Sequence, residues 1–370
     1  MKKQLLCTSA IALGVAAAAP ASAAEWNLDW GGFVNTHLAI GDLSGLATTG
    51  LDLDGEGFDI HQTGEIIFTP SITLDNGMTF GFQVQMEALN AAGGADGIDE
   101  AYITISSDTF GQLDIGAENS AGYKSMVGAP TVTSMWINSP SISTFIPLSA
   151  VLPFAFRQAA ISSYTEVAGN NDTARITYYT PDFNGLTIGV SYAPDGTLNV
   201  GNSFGVAAPA LEDVFDIGVN YSQSFGSTDL SLGARWGTGS SNVVGISDPE
   251  TWGIGFNVSF GNITVGGSYA ENDNGVAAGV GDQEGWSFGV TFDTAGPWSF
   301  EALTYQGEYS GTGAGGANEE YTAYRIGASR SLGSGVDWDI YLVQAEADDK
   351  GLAGTELEGT VLGTAINLSF

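Results

Sequence analysis

Two kinds of residue in this sequence have types and spacings that could support chemistry, and the histidines come first. His37 and His61 are its two histidines, and a histidine that activates one of the many serines would give a hydrolase. No GxSxG motif lies between a predicted strand and a helix, where such enzymes hold their nucleophile. We therefore interpret both histidines as polar side chains on the face of a strand.

The second kind is a group of carboxylates near the N-terminus. The stretch "LDLDGEGFD", residues 51–59, places four acids close together in a predicted external loop: Asp52, Asp54, Glu56 and Asp59. Hard oxygen ligands at this spacing could bind Ca²⁺, although the twelve-residue EF-hand pattern is absent. A solvated acidic loop is the alternative, and no other cofactor is predicted.

The overall charge restricts the partners that the chain can bind. Its formal net charge is -33, from 42 acidic and 9 basic residues. Such a chain repels nucleic acid and attracts cations. It is nevertheless 43% hydrophobic and 11% aromatic, with 53 glycines, so it is too apolar to be disordered. This composition is typical of many short strands that are joined by turns.

The first residues predict export. "MKKQLLCTSAIALGVAAAAPASAAEW" combines a basic start, a short apolar stretch and the small-residue site "ASA", as secretory signals do. We predict a signal peptide at 1–23, cleaved after Ala23 or Ala24, and one mature domain at 24–370. The only cysteine, Cys7, lies in the signal, so the exported chain can form no disulfide.

Alternation dominates the rest of the chain. In "WGIGFNVSF", residues 252–260, apolar side chains take one parity and small or polar ones the other, which in a strand puts them on opposite faces. We count sixteen such segments from end to end. The connections alternate between short turns and long Gly- and Asp-rich loops, an asymmetry that closed membrane barrels show.

The apolar face looks inward in a soluble sandwich and outward, toward lipid, in a membrane barrel. Tryptophan and tyrosine recur at segment ends, as in interfacial girdles: Trp26, Trp30, Tyr192, Tyr221, Trp236, Trp252, Tyr269, Trp286, Trp298 and Trp338. We therefore predict an all-β fold, a 16-stranded antiparallel transmembrane β-barrel. So many strands leave an aqueous channel, and closure removes every exposed edge.

Particular stretches resemble a known family. "FGQLDIGAENSAGYKS" (110–125), "RITYYTPDFNGLTIGVSYAPDG" (175–196) and the final "INLSF" are similar to the alphaproteobacterial general-diffusion porins, trimeric channels of the Gram-negative outer membrane. The resemblance implies that the loop after strand 5, here 119–172, folds into the lumen as the constriction. It also implies a homotrimer and recognition of Phe370 by the barrel-assembly machinery.

Two features depart from that family pattern. Residues 25–123 contain no Lys or Arg, so the early strands cannot supply the usual basic wall. The loop stretch "MWINSPSISTFIPLSAVLPFAF" (135–156) is apolar and contains several prolines. Both departures put the transverse field of the family constriction in doubt.

Alternation within each segment predicts which charged side chains face the lumen, where they would act on passing ions. The candidates are Asp29, His37, Asp59, His61, Glu65, Glu87, Asp114, Glu118, Arg175, Arg235 and Arg325 on strands, and Arg157 on the loop. Each could also be a solvated wall residue away from the narrowest point.

We expect an outer-membrane porin for passive diffusion of small hydrophilic solutes and ions, cation-preferring and not an enzyme. Outer-membrane lipid and lipopolysaccharide are the expected surroundings. The alternatives are an outer-membrane barrel hydrolase and a secreted β-rich adhesin or surface protein.

Contacts between barrels would require small outward residues. Gly32, Val34 and Thr36 on the first strand fit this requirement. Near the last strand either Val361, Gly363 and Ala365 face outward or, by strict alternation from Phe370, Leu362 and Thr364 do.

Overall fold

The structure, a computed structural model, describes residues 25–46, 52–89, 97–135, 145–146, 167, 170–196, 209–276, 281–311, 318–349 and 356–370. The predicted signal peptide lies outside these residues, and its cleavage stays a prediction. None of the described segments forms a helix that is long and apolar enough to cross a bilayer.

The described chain consists almost entirely of β-strands, with one short helix, α1 (Ala121–Ser125), after the sixth. The strands are β1 (Trp30–Leu46), β2 (Asp52–Phe68), β3 (Ser71–Thr73), β4 (Thr79–Glu87), β5 (Glu100–Ser107), β6 (Gly111–Glu118), β7 (Thr173–Tyr179), β8 (Leu186–Asp195), β9 (Leu211–Phe225), β10 (Thr228–Ser241), β11 (Glu250–Phe260), β12 (Ile263–Asp273), β13 (Gln283–Asp293), β14 (Trp298–Tyr309), β15 (Glu319–Gly333), β16 (Val336–Asp349) and β17 (Glu356–Ser369).

These strands form one closed antiparallel barrel. Each pairs with its sequence neighbours, and β1 pairs with β17 to close the ring. β2 and β3 both pair with β4 and form one wall strand that is interrupted at Pro70, because proline has no N–H to donate to a ladder. The barrel therefore has sixteen wall strands, which confirms the predicted fold.

The two faces of each strand follow the sequence alternation. On β11, Ile254 and Phe260 face outward and are 54% and 47% exposed, whereas Thr251 faces inward and is fully buried. The same parity holds across the ladders, since directly paired residues of antiparallel strands share a face. The apolar face of "WGIGFNVSF" is therefore the outer face of the barrel.

The ends of the first two strands differ from the expectation. β1 and β2 continue in register to the pair Leu46↔Asp52, so most of residues 51–59 belong to a strand and not to an external loop. The first strand also begins at Trp30, so Asp29 precedes it.

The two rims of the barrel differ. All connections at one rim, which also holds both described chain ends, are short turns; we call it the short-turn rim. The other, the long-loop rim, carries an outward row of directly paired carboxylates, which we call the acidic ladder. Its members on β12–β17 are Glu271, Glu284, Glu308, Glu320, Asp348 and Glu356.

Candidate pore and its inserted loop

The segment that follows β6 runs along the inner wall of the barrel. At its start, the Ala121 amide donates a hydrogen bond of 2.8 Å to the inward Ser191 hydroxyl on β8. Farther on, the Ala129 amide donates one of 3.1 Å to Ser287 on β13. The described part of the loop therefore extends along a large part of the wall, within the lumen.

Glycines on the wall leave room for this backbone. A Cβ at Gly218 on β9 would overlap the Ala121 carbonyl oxygen, and a Cβ at Gly255 on β11 would overlap that of Val127. Glycine in a strand often marks such a close approach of another backbone. The small face of the β11 sequence is thus partly a seat for the loop.

Two inward carboxylates hold the next part of the loop. Glu301 on β14 accepts four hydrogen bonds of 2.6–3.1 Å from amides and hydroxyls of residues 131–133. Asp339 on β16 accepts bonds of 2.8 and 3.0 Å from the amide and hydroxyl of Ser134. Hydrogen bonds to ionised acceptors are about twice as strong as neutral ones, so these contacts fix the path of the loop.

The inward arginines of the later strands are buried. The Arg235 Nη2 atom donates to both carboxylate oxygens of Asp216, at 3.0 and 2.8 Å. The Arg325 Nε atom lies 2.7 Å from Glu301 Oε1. Arg175 donates to the backbone oxygens of Asn170 (2.7 Å) and Thr173 (3.2 Å) instead. All three arginines are at most 4% exposed.

The loop lysine is paired in the same way. Lys124 Nζ lies 2.6 Å from Glu118 Oε2 and 4.7 Å from the centre of the Tyr102 ring. Burial is the largest single influence on Lys124 and would lower its pKa, but Glu118, together with Tyr179, Tyr102 and Glu100, outweighs burial and holds that pKa well above its usual value. Lys124 therefore keeps its positive charge, and the Glu118 carboxylate balances it.

A group of three carboxylates lies on another part of the wall. Carboxylate oxygens of Glu65, Glu87 and Asp99 lie within 4.8 Å of one another, and all three side chains stay partly exposed. The Gln85 amide donates a hydrogen bond of 3.2 Å to Asp99. This acidic wall belongs to the part of the chain, residues 25–123, that contains no Lys or Arg.

The two histidines face each other across β1 and β2. They are directly paired, with ring centres 6.0 Å apart, and the Phe145 ring packs edge-on against both. His37 Nδ1 lies 3.0 Å from the Tyr341 hydroxyl. This partner is a phenol, so the contact is not the serine–histidine pair of the hydrolase alternative.

The structure places most of the predicted wall residues on the inner face. These are His37, Asp59, His61, Glu65, Glu87, Asp114, Glu118, Arg175, Arg235 and Arg325. Asp29 is exposed just before β1, and Arg157 lies outside the described residues. His37, Asp114, Glu118 and the three arginines are nearly inaccessible, so facing inward does not by itself make a residue line the water.

The predicted calcium ligands are divided between the two faces of β2. β2 begins at Asp52. Its residues Asp54 and Glu56 therefore point outward near the long-loop rim, and Asp59 points inward. The side chain of Asp52 is outside the described part. Strand alternation therefore separates Asp59 from Asp54 and Glu56, which share one face.

One expected contact face is also corrected. Three residues of β17 face the lumen, because each is directly paired with an inward residue of β16. The pairs are Val361 with Val343, Gly363 with Tyr341, and Ala365 with Asp339. The outward residues of β17 are Leu362 and Thr364, as strict alternation from Phe370 predicts. On β1, Val34 and Thr36 face outward.

Several important acids were absent from the predicted set. Glu100, Asp216, Glu301, Asp339 and Glu319 are inward and nearly inaccessible. All five stand at inward parity within the strands, and that signal alone could have identified them. The loop contacts of Glu301 and Asp339 depend on the loop path, which alternation does not describe.

Comparison with known proteins gives consistent results. A family described as Gram-negative porin matches residues 8–351. No curated protein sequence matches the chain significantly. An anion-selective porin from Comamonas acidovorans has 19% identity and a TM-score of 0.61, with 94% of this chain and 100% of that chain covered.

Two other solved structures share the fold. The trimer form of OmpT from Vibrio cholerae has 12% identity and a TM-score of 0.60, with 93% and 99% of the two chains covered. A mutant porin of Rh. blastica has 19% identity and a TM-score of 0.56, covering 93% and 100%. The family match covers most of a chain that closes into a sixteen-stranded barrel, so this protein belongs to the Gram-negative porins, the channel-forming barrels of the outer membrane.

Proposed function

We propose that this porin passes small hydrophilic solutes and ions passively, with a preference for cations. One observation carries the proposal: the accessible charges of the described lumen are mainly carboxylates, because its arginines are buried and Lys124 is paired. Carboxylates along a low-dielectric channel concentrate cations and repel anions. The inserted loop, 119–172, is proposed as the constriction.

Removing the charge of the acidic wall should weaken this preference. In the double variant Glu65→Gln/Glu87→Gln, we expect the K⁺ over Cl⁻ permeability ratio in dilute KCl to fall toward one. The permeability of the channel to neutral solutes should be unchanged. Reversal potentials across a KCl gradient in planar bilayers measure this ratio. Glu308→Gln, on the outer face, is the matched control and should keep the wild-type permeability ratio. An unchanged ratio in the double variant would assign selectivity to another part of the channel.

We also propose a homotrimer whose contacts use the outward faces of β1 and β17, where Thr36 and Thr364 are small. The trimer form of a fold relative supports this proposal. We propose three further properties from the sequence stretches quoted above. They are export by the signal peptide 1–23, assembly through the exposed Phe370, and kinship with the alphaproteobacterial general-diffusion porins.

The acidic ladder supports a proposal for lipopolysaccharide and for structural Ca²⁺. Like charges that are directly opposite on neighbouring strands destabilise a sheet, and the ladder joins six of them at the rim that faces the outer leaflet. Divalent cations bound there would neutralise the ladder and bridge it to lipopolysaccharide phosphates. The calcium site expected at residues 51–59 stays a prediction.

Chelation of divalent cations should therefore destabilise the trimer. We expect EDTA to lower the temperature at which purified trimer dissociates on a heat-modifiability gel, and Ca²⁺ to restore it. Light scattering in mild detergent gives the oligomeric state. The variant Glu308→Gln/Glu320→Gln should lose this EDTA sensitivity. A monomer in mild detergent would refute the homotrimer. A trimer whose dissociation temperature is the same with and without EDTA would refute the divalent-cation proposal.

A further inference from the structure

Arg330 differs from the other described cations because its side chain lies on the outer face of the barrel. On β15 it has the parity of Ile326 and Leu332, which are 58% and 52% exposed. It lies close to the end of β15, and therefore at the short-turn rim. In porin barrels this rim faces the periplasmic leaflet.

Two tryptophans flank Arg330 on the neighbouring strands. The ladder pairs Trp298 on β14 directly with Arg330, and Arg330 directly with Trp338 on β16. The Arg330 Cζ atom lies 5.6 Å from the centre of the Trp298 ring, and the two tryptophan rings are 5.6 Å apart. Tryptophan favours the level of the lipid headgroups, so Trp298 and Trp338 indicate that Arg330 lies at that depth in the membrane.

No counter-charge for Arg330 comes from the described part of the chain. It forms none of the ion pairs found there, and its Nε atom is buried without a hydrogen-bond partner. The nearby acids of β16, Asp337 and Asp339, face the lumen. The outward neighbours are apolar: Phe300, Ala328, Leu332, Ile340 and Ile366. A buried guanidinium nitrogen in apolar surroundings is costly unless an anion pairs with it.

We propose that Arg330, with Trp298 and Trp338, binds the phosphodiester of a membrane phospholipid in the periplasmic leaflet. A guanidinium matches phosphate oxygens through two parallel hydrogen bonds, and the indole rings pack beside the glycerol and upper acyl chains. The acidic ladder at the opposite rim repels the same group, so the outer face binds phosphate directly at one rim only. The inference rests on the place of the barrel in the membrane and not on its selectivity.

The test uses the purified full-length protein, delipidated in an uncharged maltoside detergent. Native mass spectrometry with added phosphatidylglycerol gives the affinity of the tightest lipid, and tryptophan fluorescence reports its arrival beside Trp298 and Trp338. We expect Arg330→Gln to weaken that affinity by about tenfold or more, the effect of losing a charge-assisted hydrogen bond, and to abolish the fluorescence change. Leu332→Gln, on the same face and rim, should bind as wild type.

Three results would overturn the proposal. Equal lipid affinity of wild type and Arg330→Gln would place the lipid elsewhere. Inorganic phosphate that reproduces the fluorescence change and displaces the lipid would make the ligand a free anion. Dissociation of the oligomer in Arg330→Gln with lipid binding intact would assign the counter-charge to a second copy of the chain. Single-channel conductance of Arg330→Gln should equal that of wild type, which separates this test from that of the channel proposal.

Discussion

Glu301→Leu is expected to destabilise the barrel and to release the loop from its wall. The substitution removes the acceptor for four hydrogen bonds from residues 131–133 and leaves Arg325 buried without its carboxylate. Breaking a buried ion pair on one side costs about 3–5 kcal/mol. Urea unfolding in detergent measures the loss, and single-channel recordings should show a larger and noisier open current.

The double variant Glu301→Leu/Arg325→Leu separates the two consequences. It removes both charges, so most of the stability should return, whereas the loop contacts stay lost and the current should stay noisy. If Glu301→Leu unfolded like wild type and conducted the same current, Glu301 would not hold the loop.

Phe256→Arg is expected to cost about 2–4 kcal/mol of unfolding free energy, because it puts a charge on the lipid face near the middle of a strand. Phe256 faces outward on β11 and is 37% exposed there. Asn257→Arg is the matched control one residue away. Its side chain faces the lumen, so its cost should be much smaller. Equal losses in the two variants would mean that the faces are assigned wrongly.

Alternation was sufficient to predict the barrel because every wall strand faces lipid on one side and the lumen on the other. That constraint repeats along β9–β17. A strand shifted by one residue would turn all its apolar side chains toward the lumen, so the sequence itself indicates the correct register. Strand ends are less constrained, since polar residues suit both a loop and the rim of a strand. The acids of residues 51–59 were therefore predicted in a loop, although they continue β2.

The site was only partly predictable for a physical reason. Parity shows that Arg235 and Arg325 point inward, but not that Asp216 and Glu301 pair with them. Nor does it show that Gly255 contacts the loop backbone. Each ion pair joins diagonal neighbours on adjacent strands, so it depends on the register of the ladder. The Gly255 contact depends on how a long loop crosses the lumen, and no local period specifies that path. The inward arginines were consequently predicted to meet passing ions, whereas the structure buries them.

The reversal potential of the wild-type channel across a KCl gradient tests the central claim most directly. In dilute KCl, near 0.01–0.1 M, the screening length is about 10–30 Å, and the carboxylates act across the whole lumen. We predict a potential whose sign shows K⁺ preference, and a smaller preference near 1 M, where screening shortens to about 3 Å. A Cl⁻ preference in dilute KCl would contradict the claim, because cations such as Arg157 would then control the narrowest point.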